Sequence, residues 1–401
     1  MKAAIRQLEP GEPQEKVHQL RVLAYPEHED VRDTDFFDRM YGWYQRHPLA
    51  GSMQRWISET EDGEVIGHLA AMPLYYRVNG ERVVAHTPGD YMVHPEHSFQ
   101  ALSLMRRFFK SVDNTFACDM VPAVITVESR FGAEVIGQMQ YTAKLLNVAR
   151  LPVPPVPERL RKVLGLPPQF APARGYTGHE DDGYAEIGEP EPMPQARPRA
   201  PIPGPLKSAL NGGLEALDQL LAKGYGEGYE VEKVDHFDEG FDRFFEKVAA
   251  VTPCIQEKDA AFLNWRYGPD SPQQPVEVIA VRGRQGVLGY AVIKVLEKAR
   301  DSFILDLMAL PGYTQVARAL VRESVRRCRK RGADMIRYRY LEAPATPRET
   351  DLLRMGFFSR GASRRNSILV SFEDEKKHAL ATDLDNWSYN IGDGEATFWM
   401  R

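Results

Sequence analysis

Residues His86–Phe109, HTPGDYMVHPEHSFQALSLMRRFF, decide how this chain is read. Tyr91, Met92 and Val93 end an extended stretch, Pro95 with Glu96, His97 and Ser98 makes a polar turn, and Phe99, Leu102, Met105, Arg106 and Phe109 recur at helical spacing. The pattern predicts a strand, a tight loop and a helix opening directly from it. First-turn amides of a helix lack partners within the helix and carry partial positive charge, so this layout suits a pyrophosphate. The candidate cofactor contacts are Tyr91, Met92 and Val93 on the strand and Ser98, Phe99, Gln100, Ala101, Leu102 and Ser103 in the loop and first turn. Ala101 and Ser103 are small enough to leave backbone amides open to approach.

Val93-His94-Pro95 followed by Ser98, Ala101 and Ser103 resembles the signature of the GNAT N-acyltransferases, V-x-P and then R-x-x-G-x-G/A at the head of a helix. Ser98 stands where the family has Arg, and Ala101 and Ser103 where it has its glycines, so all three loop positions depart from the pattern. The resemblance implies acetyl-CoA or a longer acyl-CoA as co-substrate, no metal, and direct transfer to the amine of a small-molecule or sugar-type acceptor. It places the pyrophosphate at Ser98 to Ser103 and the thioester carbonyl against the strand near Tyr91 to Val93. An ammonium must lose a proton before it attacks, which calls for a carboxylate or imidazole, and Asp90, His86 and Glu128 are the candidates by position. Family members often carry a Tyr four residues before a late glycine to protonate the departing thiolate. Glu128 and Leu352 occupy those places here.

Sliding the chain against itself by 222 residues lays Trp56–Gly67 over Val278–Gly289 without a gap. Trp43 and Trp265 each stand 24 residues before the glycine of their hairpin, and Gly132 and Gly356 follow it by 65 and 67. The fold expected from this repeat is α/β of the α+β kind, with mixed, mostly antiparallel sheets in two tandem GNAT-like domains, 1–150 and 230–401. Between them, 151–229 reads as a proline-rich linker with short helices at 158–164 and 205–223, because 14 of the 29 prolines fall in 151–205.

In order, 2–8 reads as a strand, 15–24 and 33–44 as helices, 53–93 as a meander turning at Asn79-Gly80, and 100–112 as a helix. Next come a strand at 115–120, a helix at 123–130 and a strand at 141–148 that closes the first sheet. The early helices bring Tyr25, Phe36, Tyr41, Trp43 and Tyr44 to a sheet face, where they serve packing or grip an acceptor. The second half repeats the series, but its loop Leu310-Pro311-Gly312-Tyr313-Thr314 offers a proline without an N–H and a bulky tyrosine, so this half is read as cofactor-degenerate. The closing aromatics Trp387, Tyr389, Phe398 and Trp399 are expected to pack inward.

The chain has 401 residues, 43% hydrophobic and 27% charged, with net charge -5. No run approaches the roughly 20 apolar residues of a membrane span, which predicts a cytoplasmic protein. Cys118, Cys254 and Cys328 form no C-x-x-C pair and are read as buried thiols. Between Thr314 and Arg365, 14 Lys or Arg outnumber five Asp or Glu, suggesting an acceptor that carries negative charge. Nucleic acid is disfavoured because no stacking series accompanies the arginines. A non-catalytic scaffold and a Fem-type aminoacyl transferase, which also fuses two GNAT-like domains, are the competing readings.

Overall fold

The computed structural model describes residues 3–148 and 204–400, apart from 10, 27, 46–49, 297 and the side chain of Trp399. The helix expected at 158–164 and the proline-rich stretch around it lie outside the described residues. Strand β1 (Ala3–Gln7) precedes helices α1 (Glu15–Ala24) and α2 (Thr34–Gln45). Phe36, Phe37, Met40, Tyr41, Trp43 and Tyr44 of α2 are all buried, so these aromatics seat the helix on the sheet. The meander is β2 (Gln54–Thr60), β3 (Val65–Val78) and β4 (Glu81–Val93). Asn79 and Gly80 turn it with φ of 51° and 78°, the left-handed pair that such a hairpin requires. Helix α3 (Gln100–Phe109), β5 (Thr115–Asp119), α4 (Pro122–Arg130), β6 (Glu134–Gln138) and β7 (Gln140–Leu145) follow.

After helix α5 (Gly204–Leu221) come β8 (Val231–Val234), α6 (Glu239–Ala249), β9 (Cys254–Gln256) and α7 (Ala260–Tyr267). The second meander is β10 (Glu277–Gly283), β11 (Gly286–Leu296) and β12 (Asp301–Ala309), leading to α8 (Thr314–Lys330) and β13 (Met335–Tyr340). Three short strands, β14 (Phe358–Ser359), β15 (Ser367–Ser371) and β16 (Trp387–Ser388), complete the set.

Two mixed sheets result, one ordered β1-β2-β3-β4-β5-β15-β6 with β9 and β16 attached, the other β14-β7-β13-β12-β11-β10-β8. Each draws on both halves of the chain. The strand read as closing the first sheet crosses instead to the second, where β7 pairs antiparallel with β13 from Leu145↔Met335 to Gln140↔Tyr340. In return β15 enters the first sheet between β5 and β6, from Ser371↔Thr115 to Ser367↔Asp119. Alternation in a sequence specifies which face a strand buries but not which edge it joins, so this exchange leaves no local signal.

Trp43 and Trp265, separated by the repeat shift, meet where the halves join. Their rings stack at 3.8 Å with an interplanar angle of 1°. Each indole N–H donates to the other residue's carbonyl, at 3.0 Å from Trp43 and 3.3 Å from Trp265. Reciprocal contact between corresponding positions is what a two-fold relation produces.

Candidate functional site

The register of β3 and β4 slips near the end of β4. Ala70 faces Gly89 and His68 faces Met92, so Asp90 and Tyr91 together oppose a single residue. Asp90 takes a φ of 47°, a left-handed conformation that Asp tolerates better than most side chains, and the strand bulges. The bulge sends the two side chains to opposite faces. Asp90 meets α1 and α2, while Tyr91 joins Val93, Val124 and Val127 around the core under α3 and α4.

On the α1–α2 face, Asp90 Oδ2 accepts a hydrogen bond from Arg21 Nη2 at 2.8 Å and another from the Tyr41 hydroxyl. The Arg21 and Asp90 side chains are 0% and 3% exposed. Burial works against the charged carboxylate, but Arg21, His68 and Tyr41 outweigh it and hold Asp90 below the ordinary carboxylate range. Burial and the nearby Arg55 push His68 down to about 3, leaving a neutral imidazole. Arg55 Nε donates to His68 Nε2 at 3.0 Å, so Nδ1 carries the proton and donates to the Asp90 carbonyl at 2.8 Å. The Tyr25 hydroxyl donates to the Tyr91 carbonyl at 2.8 Å. The bulge is thus clamped at two consecutive carbonyls and one carboxylate.

Beside the bulge the sheet opens. Strands β4 and β5 pair in parallel at His86↔Thr115 alone, reinforced by Thr87 Oγ1 donating to the Phe116 carbonyl at 2.9 Å. Past that point no backbone pairing joins them among the described residues, up to Tyr91 on β4 and Asp119 on β5. His86 sits at the closed end, four residues from Asp90, or about 13 Å along a strand. Burial lowers its pKa, and the structure does not bring it together with the other candidates.

Glu128 is the buried residue of α4. It is 1% exposed, and neither carboxyl oxygen has a hydrogen-bond partner. The Tyr91 hydroxyl is likewise buried without a partner. Burial, then the Asp119 carboxyl on β5, push Glu128 up to about 8. Burial also raises Tyr91, with Glu128 adding to the shift.

The α3 N-terminus lies just beyond. No side chain caps it. Ser98, Phe99, Leu102 and Ser103 are exposed and Ala101 is half-buried, whereas Gln100 and Met92 are buried and can meet a ligand only through backbone atoms.

The corresponding gap in the second sheet is filled by the chain itself. β12 and β13 pair in parallel from Asp301↔Met335 to Ile304↔Tyr338 and then part. The C-terminal segment enters there: Tyr338 Oη donates to Asn390 Oδ1 at 2.7 Å, and Leu341 N to the Tyr389 carbonyl at 2.7 Å. Gly392 packs so close to β12 that an added Cβ would lie 2.6 Å from the Leu305 carbonyl oxygen. Trp387, Tyr389 and Phe398 are buried, as expected of these aromatics.

Five of the 14 basic residues between Thr314 and Arg365, all on α8, are already engaged. Arg318 pairs with Asp351 at 2.6 Å, Arg326 and Arg327 with Glu323 at 2.6 Å, and Arg329 with Asp218. Arg322 donates to the Tyr225 carbonyl at 2.8 Å. Composition counts charges without showing that their partners arrive from α5 and the loops.

The clamp around Asp90 lay outside the sequence reading except for Tyr25 and Tyr41, yet a signal exists. Arg21 falls four residues after Val17 on the buried stripe of α1, where a cation needs a partner.

A bulged fourth strand parted from a fifth, next to an uncapped helix N-terminus, defines a GNAT-type acyltransferase fold, here in a two-sheet form. No protein-family model matches the sequence, and no curated protein does. Among solved structures, a protein of Enterococcus faecalis described as a probable N-acyltransferase matches 94% of this chain and 74% of its own, at 10% identity and a TM-score of 0.53. The N-myristoyltransferase of Saccharomyces cerevisiae with bound myristoyl-CoA matches 92% and 82%, at 12% identity and 0.51. A GCN5-related N-acetyltransferase of Anabaena variabilis matches 95% and 75%, at 11% identity and 0.50. At these identities the likeness establishes the fold.

Proposed function

We propose that the protein is an N-acyltransferase that moves an acyl group from acyl-CoA directly to a small amine, using the gap in the first sheet. The observation that carries this reading is the parting of β4 and β5 beside the Asp90–Tyr91 bulge, with the uncapped start of α3 at its mouth. Ser98 to Ser103 hold the pyrophosphate by backbone amides. The second sheet takes no acyl-CoA, because Asn390 to Gly392 stand in its gap.

The amine approaches from the α1–α2 face. A groove of about 690 Å³ there is lined by Glu12, Glu15, Asp38, His18 and Arg32, and its carboxylates, which outnumber the one arginine, favour an ammonium. This reading is preferred to an acceptor drawn to the α8 arginines, since five of those are engaged within the chain. Asp90 serves to hold the bulge, because a carboxylate kept ionised by Arg21 is a weak proton acceptor.

Calorimetry with acetyl-CoA and longer acyl-CoAs tests the reading, with Ala101→Glu as the probe. A carboxylate suits the first turn of α3 and leaves the fold intact, but repels a pyrophosphate placed there. Loss of binding with an unchanged circular dichroism spectrum is expected. Unchanged affinity, or no binding by the parent protein, rejects the reading.

A further inference from the structure

Helix α5 is fixed with its apolar side outward. One face is tied down: Asn211 Oδ1 accepts from the Val148 N–H at 2.9 Å, and Asp218 pairs with Lys144 at 2.6 Å and with Arg329. Leu214 and Leu221 lie half-buried along the edge of that face. At about 100° per residue, Leu206, Ala209, Leu210, Gly213, Ala216, Leu217 and Leu220 fall in one arc of about 120° turned away from it. The four leucines are 51%, 43%, 49% and 67% exposed, and a side chain placed on Gly213 would meet nothing within 4 Å. No other helix or strand among the described residues exposes more than one large apolar side chain. A contiguous uncharged face of this kind marks a contact with something else.

The order of side chains along the arc says what covers it, because it reads alike from both ends. Leu206 and Leu220 each stand seven residues from Gly213, Ala209 and Leu217 each four, and Leu210 and Ala216 each three. We propose that α5 is the interface of a two-fold homodimer, formed by antiparallel pairing of this helix across Gly213. Leu206 then packs on Leu220 of the partner subunit, Leu210 on Ala216 of the partner subunit, and Leu217 on Ala209 of the partner subunit. Large side chains meet small ones at the inner positions, and the absence of a side chain at Gly213 lets the two backbones approach where they cross. In a two-fold interface residue i meets j and j meets i, so a palindromic face is what a second copy requires and an unrelated partner does not. Beside the arc the exposed flank carries Ser208, Gly212, Glu215 and Gln219, one acid and no Lys or Arg, which disfavours an anionic lipid surface. A single helix pair is small beside the roughly 1,200–2,000 Å² of standard interfaces, so the dimer is reversible and dissociates in the micromolar range. The pairing is independent of the acyl-transfer reading.

Sedimentation equilibrium of the full chain from about 1 to 100 µM should show a reversible rise from 45.5 kDa toward twice that mass. Leu210→Glu buries a carboxylate against an apolar partner, so it should weaken association by about 100-fold or more. Its circular dichroism spectrum should match the parent, because the residue is exposed in the single chain. Glu215→Gln, outside the arc, should leave association unchanged. Single cysteines fix the direction of pairing, in a Cys118→Ser background with Cys254 and Cys328 buried. Gly213→Cys should form an intermolecular disulfide on oxidation, since that position meets itself. Leu206→Cys alone should not, because its two copies stand about 21 Å apart along the helices. An equal mixture of Leu206→Cys and Leu220→Cys chains should crosslink between the two kinds. Crosslinking of Leu206→Cys with itself in place of these results overturns the antiparallel arrangement. A parent that stays at 45.5 kDa at about 100 µM overturns the dimer, its leucines then being covered by another segment of the chain or by lipid. A dimer indifferent to Leu210→Glu places the interface elsewhere and overturns it as well.

Discussion

Two buried carboxyls a few residues from the same gap show how environment separates roles. Asp90 and Glu128 would titrate alike in an unfolded chain, yet Arg21 holds one ionised and solitude keeps the other protonated. Arg21→Met removes the cation and leaves a buried charge, which should cost about 3–5 kcal/mol near neutral pH. Asp90 is depressed in the fold, so its contribution is present above the unfolded value near 4 and is lost as pH falls through the folded one. Denaturant titrations should therefore show the gap between parent and Arg21→Met narrowing below about pH 4. Glu128 runs the other way. From about pH 4.5 to 8 the folded chain holds a proton that the unfolded chain has released, so stability falls across that window. Glu128→Gln should match the parent at pH 4 and exceed it by a few kcal/mol at pH 8, at about 1.4 kcal/mol per unit. A constant difference between pH 4 and pH 8 counts against the orphaned acid.

Individual elements were largely legible in the chain. The 15–24 helix, the Asn79-Gly80 hairpin and the strand-loop-helix at 86–109 follow from periodicity and turn chemistry, and they appear within a few residues of the expected bounds. The last helix of the linker also forms, as α5, with Leu206, Leu210, Leu217 and Leu220 exposed and only Leu214 and Leu221 half-buried. Polar groups hold it, Asp218 to Lys144 at 2.6 Å and Asn211 to the Val148 N–H at 2.9 Å. Strand β15 had no reading in the sequence, because a five-residue run with an apolar centre, Ile368-Leu369-Val370, fits many edges. Leu369, 0% exposed, packs with Ala117 and Ala133 of the first half. Leu369→Ala should destabilise the protein by about 2–5 kcal/mol, measured by chemical denaturation, and should lower acyl-CoA affinity by loosening β5. Normal stability in that variant would contradict the strand exchange.

At the scale of the molecule, exchanged strands and a charged interface bind the halves together. Within the second half, next to Glu257, Lys258 Nζ lies 2.9 Å from Asp306 and 2.8 Å from Asp393, with all three side chains at 0–1% exposure. Arg77 and Arg82 of the first half meet Glu257 at 2.6 and 2.7 Å. One cooperative unfolding transition is expected by calorimetry. A protease site inserted between 151 and 203 and then cut should leave two fragments that co-elute on gel filtration. Separation of the fragments without denaturant would refute this account.

By itself the sequence determined the kinds and order of elements, the repeat and the address of the gap, because hydrophobic period, turn residues and helix starts are written locally. A resemblance in spacing also singled out Glu128, four residues before Gly132. Only tertiary structure decided that the halves trade strands and that the C-terminal segment fills the second gap. Tertiary structure likewise decided that the α8 arginines are spent on internal partners, and that Asp90 is ionised while Glu128 is not. Each of these depends on which distant residues come within a few ångströms, and charge state depends on burial and neighbours that no local pattern encodes.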